Sequence, residues 1–163
     1  AIMIWNARIF GGSGLAKRLI FWPDNMKKIL CSACLLGINC KYNGGNNANA
    51  KVLELAKKEI LVPVCPEQLG GLPTPRPRSC RKGDKVIDEL GNDKTDAFVR
   101  GAQEVLQIAK GLNIREAILK QKSPSCGCGK IYADFGGRII DGDGITAELL
   151  NRDGIKIISE EEL

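Results

Sequence analysis

Three cysteines, Cys34, Cys65 and Cys126, each stand just past the end of a short apolar run, in a chain that contains no histidine. The runs are Ile29-Leu30 before Ser32-Ala33-Cys34, Ile60–Val64 before Cys65, and Ala117-Ile118-Leu119 before Ser123-Pro124-Ser125-Cys126. If the runs are parallel strands, their exits share one edge of a sheet, where open α/β folds bind ligands. Thiolates from three loops then converge on one point, and a soft metal centre suits that donor set. Each cysteine has glycine or proline nearby, as in Cys34-Leu35-Leu36-Gly37, Cys65-Pro66 and Pro124-Ser125-Cys126-Gly127. Tight turns of this kind leave amide N–H groups free to face sulfur and stabilise its charge. A single buried cysteine is usually a small hydrophobe; three at successive strand exits read as a site.

The donor set leaves two centres open. A structural zinc site usually takes four ligands with paired C-x-x-C spacing, and Cys31-x-x-Cys34 and Cys126-x-Cys128 offer close pairs. Residues three apart on a strand point to opposite sides, which weakens the first pair. Three thiolates fit an iron–sulfur cubane with one iron open, and an open iron is a Lewis acid. The missing histidine removes Ser-His-Asp and Cys-His hydrolases and His-ligated zinc enzymes together.

Composition narrows the class further. At 163 residues the chain is one domain, long enough for a core without staples. Its net charge of +5 suits a polar or anionic small ligand but forms no dense Lys/Arg stripe. With aromatics also scarce, no nucleic-acid partner is expected. No stretch approaches the roughly 20 apolar residues of a membrane span. Residues 1–25 lack the layout of a secretory signal. Seven cysteines without an export signal point to the reducing cytoplasm, where metal or thiol chemistry outranks disulfides.

The elements that must position the cysteines alternate in type. Residues 1–25 hold Trp5, Phe10, Phe21 and Trp22 around a Gly11-Gly12-Ser13-Gly14 break and read as an upstream extension or a cloning tail. A docking amphipathic arm is the alternative. The remaining residues, 26–163, form one cysteine-rich α/β domain. Lys28–Cys34 is the first expected strand, and Asn47 caps a helix reaching about Lys58. Ile60–Val64, an apolar run of the kind buried on both faces, is the second strand. Pro66–Lys85 reads as a long irregular loop. Phe98, Ala102, Val105, Leu106 and Ala109 mark a helix capped by Thr95 or Asp96 and reaching about Lys110. Glu116–Lys120 is the third strand, Gly127–Gly144 a glycine-rich hairpin-like excursion, Ala147–Asn151 a helix capped by Thr146, and Ile155–Ser159 the fourth strand. This alternation predicts a three-layer α/β fold with a mainly parallel four-stranded sheet, ordered 2-1-3-4.

The motifs resemble a known family. Cys34-Leu35-Leu36-Gly37, Cys65-Pro66-Glu67, Gly71-Leu72-Pro73 and Ser123-Pro124-Ser125-Cys126-Gly127 are similar to those of the family of the [4Fe–4S]-dependent thiouracil desulfidase, long classed as a domain of unknown function. The resemblance runs from about Met26 to Leu163. It implies a [4Fe–4S] cluster on Cys34, Cys65 and Cys126, a catalytic glutamate at Glu67 and a catalytic serine at Ser123. The implied reaction is non-redox removal of sulfur from a thiolated base, a small-molecule partner, by water. Two features depart from the family: Cys31 stands where an aliphatic residue is usual, and Lys41-Tyr42-Asn43-Gly44 where Arg-Tyr-Asp-Gly is common.

The chemistry is sensible from the residues themselves. A C=S group is soft, so a thiolate-rich iron centre binds it and makes its carbon a better electrophile. Glu67, two residues past Cys65, can take a proton from water, and Ser123 can donate to the ring. Without the resemblance, a solvated carboxylate and a turn-capping hydroxyl would be the simpler readings. Arg76, after the rigid Pro73-Thr74-Pro75 run, is the expected substrate-binding residue. Cys40, Cys80 and Cys128 read as packing or surface thiols. Two other functions compete: a non-catalytic zinc- or cluster-binding module for iron or sulfur storage or sensing, and a thiol-redox protein using Cys31 and Cys34.

Overall fold

Residues 26–163 are described by the structure, a computed structural model; the expected extension over 1–25 lies outside them. In chain order the elements are β1 (Lys28–Ser32), α1 (Ala50–Leu55), β2 (Ile60–Val64), α2 (Pro66–Leu69), β3 (Ser79–Lys82) and β4 (Lys85–Asp88). There follow α3 (Thr95–Gly111), β5 (Glu116–Leu119), β6 (Lys130–Tyr132), β7 (Ile139–Asp141), α4 (Ile145–Arg152) and β8 (Lys156–Ser159). Two 3₁₀ turns, Ala33–Leu36 and Glu160–Glu162, continue β1 and β8.

Four parallel strands form the central sheet in the order β2-β1-β5-β8, the expected order with β5 and β8 as third and fourth strands. Side chains alternate across it with period two. Leu30, Val64, Ala117 and Leu119 meet Val105, Leu106 and Ala109 of α3 and Leu150 of α4. Ile29, Cys31 and Ile118 pack on the other face with Leu35 and Val52, and Leu55 and Leu163 complete that layer. Apolar cover on both faces is why the strands read as near-continuous hydrophobic runs. The edge strand β2 is only half-buried, and Pro63 is tolerated there because an edge residue need not donate to a neighbour. Among the described residues no helix is long and apolar enough to cross a membrane.

Several boundaries differ from the sequence expectations, each for a local reason. Strand β1 stops at Ser32, and Cys34 lies in the 3₁₀ turn closed by Gly37 at φ +88°. Asn49 rather than Asn47 caps α1: its Oδ1 accepts from the amides of Lys51 and Val52 at 3.0 and 3.2 Å. The amides of Asn47 and Asn49 donate back to the carbonyls of Cys34 and Leu35, which holds that segment out of the helix. Neither Thr95 nor Asp96 caps α3, which already includes both and follows Lys94; the Thr95 hydroxyl is taken up by the Val86 amide and Asp93 instead. Thr146 does not cap α4 either. Gly144 takes the capping position, and the Thr146 hydroxyl lies 2.9 Å from Ser125 Oγ.

The stretch Pro66–Lys85 is not one irregular loop. Pro66 starts α2 with its φ already suited to a first helical position. Farther on, β3 and β4 form an antiparallel hairpin turning at Gly83, φ +61°. The glycine-rich excursion is the antiparallel pair β6–β7.

One helix contact bears directly on the site. A Cβ at Gly101 of α3 would sit 1.9 Å from the Pro66 carbonyl oxygen, and one at Gly70 would sit 2.0 Å from that of Ala97. Only paired glycines allow this approach of α2 to α3, and it sets where Cys65 and Glu67 stand.

Candidate active site

The exits of β1, β2 and β5 open onto one cavity of about 530 Å³. All six residues singled out in the sequence line it: Cys34, Cys65, Glu67, Arg76, Ser123 and Cys126. Each cysteine is set by its own loop. The carbonyl of Cys34 accepts from the amides of Gly37 (3.2 Å) and Asn47 (2.9 Å). Cys65 occupies the capping position of α2, its carbonyl accepting from Leu69 at 2.9 Å. Cys126 ends a turn held by Ser123, whose Oγ accepts from the amides of Ser125 (3.1 Å) and Cys126 (3.2 Å). Gly127 closes that turn, where a Cβ would meet the carbonyl oxygens of Lys130 and Ser123 at 2.7 and 2.8 Å. The carbonyls of Pro124 and Ser125 accept from the first amides of α4, so the helix start and the turn fix each other.

Thiol electrostatics differ across the cavity. The Cys40 thiol lies within hydrogen-bonding reach of Cys34 and Cys65 and lowers both to about 7, against the opposing effect of burial. Bonding to those two sulfurs, with burial, pushes Cys40 itself strongly upward. Burial raises Cys126, partly offset by the Ser32 hydroxyl beside it. Cys31, fully enclosed on the far face of the sheet, is pushed up to about 12 by burial. Cys31 does not line the cavity, although Cys34 packs against the same apolar layer.

Glu67 is aimed by Arg76. Arg76 Nε donates to Glu67 Oε2 at 2.6 Å, with side chains 5% and 17% exposed. The same guanidinium donates to Pro73 O, Thr74 Oγ1 and Cys40 O at 3.0–3.2 Å. Four of its five N–H groups are thus committed within the protein, which makes Arg76 chiefly the residue that positions Glu67. Ser123 is a turn-capping hydroxyl, yet accepting two amides leaves its own proton free to donate.

Sequence reasoning passed over several lining residues. Cys40 and Cys80, read there as packing thiols, are each 2% exposed and line the cavity. Lys120 also lines it, bonded to the buried Glu160 carboxylate, which accepts from the Gln121 amide at 2.7 Å as well. Lys122, at φ +65°, turns the chain toward Ser123, and Glu161 at 2.6 Å holds its ammonium above the usual lysine range. The one sequence signal for Cys40 was its place six residues after Cys34, ahead of a glycine turn that folds the loop back.

Among the described residues no Cys, Asp and Glu side chains are arranged to hold a single metal ion. A lone tetrahedral zinc draws its sulfurs within about 4 Å of one another, given Zn–S bonds near 2.3 Å. Three cysteines from separate loops around one cavity are a donor set that would suit an iron–sulfur cluster.

Comparisons with known proteins bear on the family and the fold. The profile of the 2-thiouracil desulfurase family matches residues 29–162. The uncharacterized protein YbbK of Bacillus subtilis (strain 168) is 42% identical over 146 residues, covering 83% of this chain and 97% of that protein. The solved structure of the [4Fe-4S]-dependent thiouracil desulfidase TudS superposes with a TM-score of 0.80 at 43% identity, covering 84% of this chain and 93% of that one. With its cysteines, carboxylate and serine on the matched segment, the chain belongs to the 2-thiouracil desulfurase family and is an enzyme of the thiouracil desulfidase kind.

Proposed function

We propose that the protein hydrolyses the C=S bond of a thiolated pyrimidine such as thiouracil, giving the C=O base and sulfide without net redox change. Cys34, Cys65 and Cys126 would hold a [4Fe–4S] cluster, whose open iron supplies a soft Lewis acid for the thiocarbonyl sulfur. The chain's own groups do the rest. Glu67, oriented by Arg76, accepts the proton of the attacking water at Oε1 or Oε2. The Ser123 hydroxyl donates its free proton to a ring heteroatom and orients the base. The observation that carries this reading is the meeting of three thiols, a fixed carboxylate and a proton-donating serine on one cavity.

Anaerobically reconstituted Glu67→Gln tests it. The amide cannot accept the proton, so sulfide release should fall by roughly 10²–10⁴-fold in kcat with iron content unchanged. An unchanged rate would remove Glu67 from the chemistry. A fully loaded wild type that releases no sulfide from any thiolated base would favour the non-catalytic cluster module.

A further inference from the structure

Aromatic surface in this chain is scarce and unevenly placed. Only Tyr42, Phe98, Tyr132 and Phe135 fall within residues 26–163. Phe98 is fully buried in the core, and the other three line the cavity. Of these, Phe135 is held most elaborately. It sits in the turn between β6 and β7, where Ala133 donates to the Arg138 carbonyl at 2.8 Å. Asp134 Oδ1 accepts from the amides of Gly136 and Arg138 at 2.9 and 3.1 Å, and Gly137 takes φ +95°. The ring has a cation on it: the Arg78 guanidinium carbon is 5.6 Å from the ring centroid, and Nη1 donates to the Phe135 carbonyl at 3.4 Å. Arg78 is itself fixed, donating from its amide and Nε to the Glu89 carboxylate at 3.1 and 3.2 Å.

Arg78, just before β3, and Glu89, just after β4, thus hold both the carbonyl and the ring of Phe135. A flat π-surface presented to a cavity fits a flat heteroaromatic ring, because stacking on it is favourable whatever the ring's substituents. We propose that Phe135 is the stacking platform for the substrate ring and selects planar, conjugated thioamides over puckered ones, with Arg78 as its positioning residue. The inference rests on the thiolated-pyrimidine reading and adds to it the residue that recognises the ring.

The test compares 2-thiouracil with 5,6-dihydro-2-thiouracil, which keeps the thioamide but loses the conjugated plane, on cluster-loaded protein. Phe135→Leu retains apolar volume without a π-face, and should raise KM for thiouracil roughly 5- to 100-fold with kcat and iron content near wild type. For the dihydro compound, KM (or Ki where it is not turned over) should change less than about twofold. Phe135→Tyr should restore discrimination, and Arg78→Gln should raise KM for thiouracil less than Phe135→Leu does. Equal losses on both compounds, or no change on thiouracil, would overturn the proposal. Calorimetric binding of thiouracil gives a readout independent of turnover. If wild type releases no sulfide, the function reading fails, while weaker thiouracil binding by Phe135→Leu would still support the platform and equal binding would overturn it.

Discussion

Gly101→Ala places one methyl group where α3 meets α2, at a residue that does not line the cavity. The added Cβ would stand 1.9 Å from the Pro66 carbonyl oxygen, 2.8 Å from its carbon and 3.1 Å from the Gly70 nitrogen. All three are backbone atoms, so no rotamer change relieves the contact. Moving from 1.9 Å to even 3.0 Å requires α2 to retreat by about 1.1 Å. Pro66 lies between Cys65 and Glu67, so both travel with it. Overpacking costs about 1–3 kcal/mol, of which up to about 1 is offset by the better helix propensity of alanine. A displacement near 1 Å at positioned groups is worth roughly 10²-fold in kcat. The assay is sulfide release from thiouracil after anaerobic loading, beside a urea unfolding curve and an iron determination. Gly111→Ala is the control: it lies in the same helix with nothing within 4 Å of the new Cβ and should be neutral or slightly stabilising. If Gly101→Ala matched wild type in both kcat and midpoint, the close helix approach would not be what places Cys65 and Glu67.

Further outcomes follow from the same geometry. Cys34→Ser, Cys65→Ser and Cys126→Ser should each lose most reconstituted iron, whereas Cys40→Ala, Cys128→Ser and Cys31→Ala should keep it; equal loss in all six would point to general misfolding. Glu160→Ala strands Lys120 and the Gln121 amide and should destabilise by about 2–3 kcal/mol, less than a wholly buried pair because Lys120 reaches the cavity, measured by urea denaturation. Burial alone would raise the Asp88 carboxyl, but bonds from Asn92 and Leu90 and the Lys94 ammonium outweigh it and hold it below the usual range. A depressed carboxylate contributes stability above its unfolded pKa and loses it as pH falls through the folded value. The stability gap between wild type and Asp88→Asn should therefore narrow from pH 7 toward pH 2; a constant gap would refute this role.

The sheet was legible in the sequence because its determinants are local. Apolar runs such as Ala117-Ile118-Leu119 and the helical spacing from Phe98 to Ala109 identify their elements from neighbouring residues alone. Alternation of those elements, with the connection rules of parallel sheets, leads to the order β2-β1-β5-β8. Cap assignments failed where a distant partner intervened. Asn47 is drawn off by Cys34 and Thr146 by Ser125, contacts that no local window contains.

The candidate site divides in the same way. Motif order and the absence of histidine, with a family resemblance, singled out three cysteines, Glu67, Ser123 and Arg76 as candidates, and the fold brings all six to one cavity. Which groups surround them depended on contacts between segments far apart in sequence. Cys40 looked like a spare thiol until its loop folded between Cys34 and Cys65, and Lys120 gained its meaning from Glu160, forty residues later. Arg76 looked free to bind substrate, but in the fold its guanidinium is taken up by Glu67 and by carbonyls from separate turns. Residue type and spacing fix what chemistry a side chain can offer. Only packing decides which partners use up its hydrogen bonds and which are left facing the cavity.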